Sequence, residues 1–420
     1  MIEPLIAKAN APGIALIPDC GGSISRIAMA LPRSCFTPEC HQQLKCLSHF
    51  PKSLSSSATL VILTEQGSAL EVSSWIKSLN LICKHEILPL IPDGASTRET
   101  IWIQDKLLCG DVHGEPTHIL PTILDGGSHG QWLDQHGVIA TTSATIHLEG
   151  GNCLVGPDYW IVGANSVWHT AKLFTRSNEA AARAAIQSLD RRPLYIAGYH
   201  AFDIADISFW SREDAVGYTQ QKSLDSEGNA NDGRLYSIGS APARETISTP
   251  KNRVPDSISR GRLYQPWFHI DMMISVTGKS IESKPILVVA DPLNSPIIRG
   301  LRDRVHAPRL DAMAFGLEAD GFHVIRNPVP VLPLPGSSGS MPRAYNNVIV
   351  QNYPPIVWLP QFADLEPELN DIEAANRQIW TDLGFDVMGL PGWSVFAHTR
   401  GAIRCCTKIL GRHPKPILLS

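Results

Sequence analysis

The amino-acid sequence predicts an α/β fold that is built from repeated strand–helix–strand units. Short apolar runs alternate with amphipathic segments along the chain, which is typical of an α/β architecture. Four segments share this plan, and a repeated unit of this kind buries its apolar face only against its neighbours. The chain also has 32 glycines and 32 prolines, which fit tight turns between short elements.

In each unit, a first strand is followed by a helix and then by a second strand. The predicted units are, in chain order, Ala58–Leu63, Ala69–Leu79 and Ile82–Leu90; Tyr159–Val162, Glu179–Leu189 and Pro193–Ala197; Ile286–Val289, Pro308–Ala319 and Phe322–Ile325; and Pro355–Leu359, Asp371–Leu383 and Phe385–Leu390. A flat doubly wound sheet is the alternative, but no Gly-x-Gly-x-x-Gly follows a strand to support a dinucleotide site.

The helix of the fourth unit has the clearest boundaries in the sequence. Asn370 and Glu373 have the spacing of a capping box, in which each side chain satisfies an exposed backbone amide at the helix start. Gly384 supplies a stop signal. The apolar side chains predicted to share one face of this helix are Ile372, Ala375, Ile379 and Leu383.

Composition and charge exclude several classes of protein. Of the 420 residues, 43 % are hydrophobic, which is enough for a large core. The 36 basic and 40 acidic residues give a net charge of −4, whereas a general nucleic-acid binder is strongly basic. No apolar run approaches the ~20 residues of a membrane span, and no signal peptide is visible. We therefore expect no nucleic-acid or membrane partner and a cytoplasmic location, with export by a route without a cleavable signal left open.

Residues 211–261 interrupt the repeated pattern, because they are polar and contain few large apolar side chains. They are predicted to form a loop or insertion within a single domain that spans residues 1–420. A surface loop and a lid or substrate-docking surface are both compatible with this composition, and long loops in compact domains often carry function.

The nine cysteines predict free thiols in a reducing compartment, because their number is odd and no secretion signal is present. Five potential zinc ligands lie close together in the sequence, but the Cys-x4-Cys-x5-Cys spacing matches none of the strong zinc patterns. These residues are Cys35, Cys40, His41, Cys46 and His49. Buried thiols and surface histidines are the favoured interpretation, so no metal is predicted.

Three short motifs carry acids and a histidine that suit binding or catalysis. Trp102–Asp105 ends in an acid just after a strand. Glu149 precedes Gly150–Asn152, a glycine pair and an asparagine where the backbone can approach a ligand closely. His269 and Asp271 are two residues apart, so in an extended segment both face the same side.

A fourth motif places the thiol of Cys405 near the end of the chain. Positive charge lowers a thiol pKa and raises the thiolate fraction, so the surrounding cations predict a reactive nucleophile. These cations are Arg400, Arg404, Lys408 and Arg412. Together, a cysteine, a histidine and several carboxylates suit a guanidinium substrate, because carboxylates bind its planar fork bidentately and its central carbon accepts a thiolate.

The order of these motifs resembles the pentein superfamily of guanidine-modifying enzymes. The similarity is greatest to the catalytic domain of peptidylarginine deiminases, with agmatine deiminases next. The family's Trp-x-x-Asp is similar to Trp102–Asp105 and its His-Val-Asp to His269–Asp271. Its closing Gly-x-Val-His-Cys-x-Thr is similar to Gly401–Thr407, which aligns the family's nucleophile with Cys405.

Two lesser matches, Gly150–Asn152 and Tyr345–Asn347, lie between these motifs. The resemblance covers almost the whole chain and implies a five-bladed α/β propeller of strand–helix–strand units around a central site. Four units are those predicted above, and a fifth is expected to involve residues 11–30 and the terminal segment.

The resemblance also implies a mechanism in which Asp105 and Asp271 bind the guanidinium. Cys405 attacks the central carbon and forms a thiouronium, and His269 protonates the departing ammonia and then activates water. The residues expected to bind the substrate are Trp102, Glu149, Asn152 and Asn347. No cofactor is implied.

Three positions differ from the family pattern. Arg404 stands where the family often has histidine; in a strand it would point away from the Cys405 side and alter the rim of the pocket. Lys106 and Leu108 occupy positions where vertebrate-type peptidylarginine deiminases have acids that bind calcium. We therefore expect calcium-independent activity.

The sequence predicts a C–N hydrolase of linear amidines and favours peptidyl-arginine as the substrate, because agmatine deiminases usually have Arg at the position of Gln104. The products would be peptidyl-citrulline and ammonia. The Leu-Glu-Gly-Gly setting of Glu149 resembles agmatine deiminases, so agmatine or free arginine is the alternative. An amidinotransferase and a non-catalytic pentein binding module are further alternatives. The sequence gives no indication of the oligomeric state.

Overall fold

The computed structural model describes residues 14–91, 101–112, 115–121, 128–174, 178–198, 265, 267–292, 306–333, 340–399 and 401–413. The predicted insertion at 211–261 lies outside these residues, so its role stays a prediction. The assignment of residues 1–420 to one domain also stays a prediction.

The described residues contain short helices and strands in close alternation. The helices are α1 (His41–Ser53), α2 (Ala69–Leu79), α3 (Ile103–Lys106), α4 (Ser128–Gln135), α5 (Ala164–Ala171), α6 (Glu179–Gln187), α7 (His306–Ala319) and α8 (Asn370–Asp382). The strands are β1 (Ala15–Leu16), β2 (Ser23–Leu31), β3 (Thr59–Glu65), β4 (Lys84–Ile91), β5 (Cys109–Val112), β6 (Glu115–Pro121), β7 (Ala140–Ala144), β8 (Cys153–Val155), β9 (Trp160–Gly163), β10 (Leu194–Ala197), β11 (Ile274–Ile281), β12 (Lys284–Asp291), β13 (His323–Pro328), β14 (Val331–Pro333), β15 (Ser340–Pro342), β16 (Ile349–Asn352), β17 (Pro355–Pro360), β18 (Asp386–Leu390) and β19 (Thr407–His413).

Five sheets in this part of the chain share one connectivity. In each sheet the first and second strands pair antiparallel, and a helical connection leads to a third strand that pairs parallel with the second. The five triplets are β5–β6–β7, β8–β9–β10, β11–β12–β13, β16–β17–β18 and β19–β2–β3. Strands β1 and β4 extend the sheets of β5 and β3. The predicted mixed α/β fold is therefore confirmed.

The four predicted strand–helix–strand units are all present. The helix of the first unit spans Ala69–Leu79, as predicted. The second unit also contains an unpredicted helix, Ala164–Ala171, directly after its first strand.

The expected fifth unit differs from the prediction. The segments Ser23–Leu31 and Thr407–His413 do pair with each other, but Ser23–Leu31 also pairs with Thr59–Glu65 and so joins the sheet of the first unit. A unit that was not predicted is formed by β6, α4 and β7. It was missed because Ser128–Gln135 and Ala140–Ala144 contain few large apolar side chains.

The predicted capping box at the start of α8 is wrong. The side chain of Asn370 donates to the carbonyl of Pro367, and Glu373 turns away from the helix start. The Glu373 carboxylate instead accepts bonds from the backbone amides of Phe362 and Ala363 after β17. The predicted apolar face is also partly wrong, because the residues of α8 that are buried are Ile372, Asn376 and Trp380, whereas Ala375 is exposed. Gly384, with φ +78°, ends the helical segment as predicted.

The largest cluster of buried apolar side chains joins several sheets and draws residues from Cys20 to Cys406. Five tryptophans are among the largest fully buried side chains: Trp160, Trp267, Trp358, Trp380 and Trp393. Side chains of this size dominate core energetics because each removes a large apolar area from water. None of the helices in the described residues is long and apolar enough to cross a membrane.

Candidate active site

The residues singled out in the sequence lie at equivalent places in the five sheets. Each is located shortly before the first strand of a triplet, where the chain enters the sheet. Asp105 precedes β5, Glu149 and Asn152 precede β8, Asp271 precedes β11, Asn347 precedes β16, and Cys405 precedes β19. The segment before the first strand of each of the five triplets thus carries polar or ionisable side chains, and these segments contact one another.

His269 lies between two carboxylates. Its Nε2 is 2.8 Å from Oε2 of Glu149, and its Nδ1 is 3.7 Å from Oδ1 of Asp105. Burial alone would lower the pKa of His269, but Asp105 and Glu149 outweigh it and raise this pKa to about 9. The imidazole is therefore a cation at neutral pH.

Asp105 is held by the backbone of the glycine pair. The amide of Gly151 donates to Oδ1 of Asp105 at 3.0 Å. A methyl group on Gly151 would lie 2.4 Å from Nδ1 of His269, so a residue without a side chain is needed here. Burial raises the pKa of Asp105, and the His269 cation opposes that rise.

Cys405 is buried and is fixed through both its backbone and its thiol. The amide of Asn347 donates to Sγ at 3.1 Å, and the backbone amide of Cys405 donates to Oδ1 of Asn347 at 3.1 Å. Oδ2 of Asp271 lies 3.6 Å from Sγ. The backbone amide of Gln104 donates to the Cys405 carbonyl, which links the first sheet to the last.

The predicted lowering of the Cys405 pKa by surrounding cations is wrong. Burial raises the pKa of this thiol well above its ordinary value, and Asp271 and Asp105 raise it further. The cations are engaged elsewhere: Arg412 donates to backbone carbonyls, and Arg404 binds carboxylates. Arg400 lies outside the described residues.

The expected placement of Arg404 in a strand is also wrong. Residues 403–406 form a turn before β19, and the Arg404 side chain is buried rather than placed at a pocket rim. Its guanidinium lies between Asp271 and Asp19, at 2.7 and 2.8 Å. Neither this contact nor the role of Asp19 was predicted, because residues so far apart in the chain show no local pattern.

No family model matches the sequence, and no curated protein matches it. An agmatine deiminase from C. jejuni matches at a TM-score of 0.59 and 13% identity, over 98% of this chain and 100% of that chain. A structure provisionally assigned as a peptidyl-arginine deiminase matches at a TM-score of 0.59 and 12% identity, over 95% of this chain and 99% of that chain. An agmatine deiminase from Enterococcus faecalis matches at a TM-score of 0.51 and 13% identity, over 96% of this chain and 97% of that chain.

The chain shares its fold, the pentein fold, with these solved structures. The similarity extends over nearly the full length of both chains, so it concerns the whole arrangement of sheets rather than one unit. The resemblance that the motifs indicated is therefore confirmed for the fold.

In this pentein fold, two of the residues expected to bind substrate hold other site residues. The Asn152 amide donates to the carbonyl of Phe268 at 3.0 Å and accepts from the amide of Ile270 at 3.3 Å, so it fixes the backbone on both sides of His269. Asn347 holds Cys405 by bonding both its thiol and its backbone amide. Their expected contacts with substrate stay predictions.

The other two expected substrate-binding residues differ in their surroundings. Glu149 contacts His269 directly. Trp102 packs edge-on against Phe396, with ring centroids 6.0 Å apart, and its ring lies against Gly401. A methyl group on Gly401 would lie 2.4 Å from the Trp102 ring, so this glycine permits the close approach.

Most of the residues that were compared with metal ligands are buried among other side chains. Lys106 and Leu108, the two positions on which the expected calcium independence rests, are both buried. Cys35 and Cys46 are buried in the apolar core, and all nine cysteines of the chain are free thiols. No group of three or more metal-ligating side chains was found in the part of the chain that the structure describes. Calcium independence stays a prediction.

Proposed function

We propose that this chain hydrolyses a guanidinium group to a ureido group and ammonia. The observation that carries the proposal is the contact between Cys405, His269 and three carboxylates drawn from separate sheets. A thiol, an imidazolium and carboxylates supply the nucleophile, the acid and the cation-binding groups that this reaction needs. The fold supports it, because structures of the same fold are named as agmatine deiminases.

Two buried polar atoms are available to a ligand. Oδ1 of Asp271 and Nδ1 of His269 have no hydrogen-bond partner in the described residues. Buried polar atoms are normally paired, so atoms of this kind in a cluster of ionisable groups favour a site for a ligand. In our proposal, Asp271 and Asp105 take the guanidinium cation, whose N–H groups donate to their oxygens.

Burial is the main cause of the raised pKa of Cys405, and the guanidinium counteracts the second cause, the negative charge nearby. Asp271 and Asp105 disfavour a thiolate at Cys405, and a cation bound to them opposes this effect. Substrate binding thus favours loss of the Cys405 thiol proton to solvent, because His269 is already protonated, and the thiolate attacks the central carbon. His269 gives its proton to the departing nitrogen, ammonia leaves, and a thiouronium remains. A water activated by His269 then adds to the carbon, the bond to sulfur breaks and the ureido product leaves.

A small free guanidine such as agmatine is our first candidate substrate. Glu149, whose Leu-Glu-Gly-Gly setting resembles agmatine deiminases, contacts His269 at the centre of the site. A cysteine-to-serine variant of the C. jejuni agmatine deiminase is named as having substrate bound, which supports a guanidine ligand in this fold. Peptidyl-arginine, which Gln104 favoured in the sequence, is the second candidate. The structure provisionally assigned as a peptidyl-arginine deiminase supports it.

We further propose that the five sheets close into a five-bladed propeller around this site. Two facts support closure. The five triplets share one connectivity, and β19, the last strand of the described residues, pairs with β2, which lies near their beginning. A ring of this kind would bring five equivalent strand starts together at its centre.

The direct test is to incubate the protein with agmatine, arginine and an arginine-containing peptide and to measure ureido product and ammonia. We expect Cys405→Ser to abolish turnover, because a hydroxyl at this buried position is a much weaker nucleophile than a thiol. Cys406→Ala is the matched control, since Cys406 is also buried but lies in the apolar core.

Full activity in Cys405→Ser would contradict the proposed nucleophile. If none of the three guanidines is converted and Cys405 reacts with a haloacetamidine no faster than the other cysteines, the binding-module alternative is favoured instead.

A further inference from the structure

Arg404 donates a hydrogen bond from each of its five guanidinium N–H groups. Nη1 donates to Oδ2 of Asp271 at 2.7 Å and to the carbonyl of Gly150 at 3.2 Å. Nη2 donates to Oδ1 of Asp19 at 2.8 Å and to the carbonyl of Cys153 at 2.7 Å, and Nε donates to Asp19 at 3.2 Å. Five donors in a rigid fork are a property of arginine alone, because lysine has three.

These bonds leave the two oxygens of Asp271 in different states. Oδ2 is bound by Arg404 and lies 3.6 Å from Sγ of Cys405. Oδ1 is buried and has no hydrogen-bond partner in the described residues. The Asp271 side chain is completely buried, so its carboxylate is shielded from bulk solvent. One oxygen is therefore fixed by Arg404, and the other is left for a donor that the described residues do not supply.

Asp19 holds Arg404 in this place from the opposite side. The Asp19 carboxylate accepts from the amide of Val155 at 2.8 Å, and the Asp19 amide donates to the Val155 carbonyl at 2.8 Å. Asp19 is thus anchored to strand β8. The guanidinium between two carboxylates balances charge that would be costly to bury alone. A cation at this point also keeps Asp271 from turning toward solvent.

We infer that Arg404 is a positioning residue that presents Asp271 to the substrate through a single oxygen, Oδ1. This inference rests on the proposed function and sharpens it. Because Arg404 already occupies Oδ2, Asp271 binds the substrate guanidinium through one N–H and not through a bidentate fork. Selectivity for a cation over a neutral molecule of the same shape then depends on the geometry that Arg404 imposes.

The test compares alkylation of Cys405 by chloroacetamidine, a cation, with alkylation by chloroacetamide, its neutral analogue. The ratio of the two rates measures recognition of the cation and requires no turnover. We expect Arg404→Lys, which keeps the charge and loses the fork, to lower this ratio by about tenfold or more, as loss of a hydrogen bond between charged groups does. With the substrate that the wild type converts, KM rises in parallel.

A second variant separates geometry from charge. Arg404→Gln removes a positive charge next to Asp271. The loss of charge alone would raise the ratio of the chloroacetamidine rate to the chloroacetamide rate, whereas the loss of positioning lowers this ratio. The matched control is Arg192→Lys. Arg192 also pairs with a buried aspartate, Asp190, and donates to the carbonyls of Leu16 and Gly156, but none of these contacts involves a site residue. We expect the control to leave the ratio unchanged.

The inference is overturned if folded Arg404→Lys or folded Arg404→Gln retains the wild-type ratio. It is also overturned if either Arg404 variant lowers kcat and leaves KM unchanged, because a smaller fraction of folded protein would explain that result. Failure of the proposed function is seen separately, as a wild-type protein that converts no guanidine. The alkylation ratio still measures the positioning of Asp271 in that case.

Discussion

At the residue scale, Cys405 and His269 lie in one cluster of carboxylates and respond to it in opposite ways. Negative charge nearby disfavours a thiolate and favours an imidazolium. The pKa of Cys405 is therefore raised by burial and by Asp271, and the pKa of His269 is raised to about 9 by Asp105 and Glu149 despite its burial. Both groups carry a proton at neutral pH before substrate binds.

The raised pKa of His269 makes part of the folding stability depend on pH. The pKa rises from an ordinary value of 6.5 to about 9 on folding, so the imidazolium stabilises the fold fully below pH ~6.5. This contribution is lost as the pH rises through about 9. We expect the difference in unfolding free energy between wild type and His269→Gln to fall by roughly 3 kcal/mol over this range.

Urea unfolding at pH values of about 6, 7.5 and 9.5 measures this difference. Taking the difference between the two proteins removes the titration of the groups that do not interact with His269. A difference that stays constant with pH would show that His269 has an ordinary pKa in the folded protein.

Arg404 shows why part of the site could not be predicted. The sequence placed a cation beside the nucleophile, which suggested a lowered thiol pKa. The charge of Arg404 is instead balanced by Asp271 and Asp19, and Asp19 lies near the other end of the chain. A single sequence contains no signal for such a pair, because neither periodicity nor spacing connects the two segments.

At the element scale, the short turns before the first strands determine how closely the sheets approach. Gly150 and Gly151 lie in the 3-10 turn before β8. A methyl group on Gly150 would lie 2.0 Å from the carbonyl oxygen of Gln104, and one on Gly151 would meet His269. The sequence correctly indicated that the backbone approaches closely here, although the neighbours are other parts of the protein.

We expect Gly151→Ala to lower kcat/KM by about tenfold or more, because the new methyl group displaces His269 from Asp105 and small misplacements of catalytic groups are costly. The measurement is turnover with the substrate that the wild type converts. Gly137→Ala is the control. Gly137 has φ +67° and open space around it, so this change costs about 1 kcal/mol of stability and leaves kcat/KM unchanged. Equal kcat/KM in Gly151→Ala and wild type would contradict the assigned contact.

Helix α8 illustrates competition between local and tertiary interactions. The predicted capping box of Asn370 and Glu373 is wrong because Glu373 accepts bonds from the chain that follows β17 instead. Asn376, which the pattern placed off the apolar face, is buried and donates to Pro328 and accepts from Asn327. Buried polar groups need partners, and here those partners come from other elements.

At the scale of the whole molecule, repetition explains how distant residues meet. Each sheet contributes a polar position at the same point of its topology, and these positions contact one another across sheets. The largest apolar cluster likewise includes side chains from several sheets. A unit of this fold therefore depends on its neighbours for both burial and site geometry.

This mutual dependence predicts cooperative unfolding. We expect differential scanning calorimetry to show one transition for the whole chain, because the shared core prevents one sheet from unfolding alone. The ratio of calorimetric to van't Hoff enthalpy measures this directly. Two resolved transitions would contradict the prediction that residues 1–420 form one domain.

By itself, the sequence determined the α/β class, the four strand–helix–strand units and the candidate residues of the site. These features are local, because periodicity and residue type are read over a few positions. The tertiary structure alone decided which charges are neighbours. It raised the pKa of Cys405, placed Arg404 between Asp271 and Asp19, and assigned Asn152 and Asn347 to hold the reacting groups. Electrostatic energies depend on distance and burial, and both are set only when separate sheets pack together.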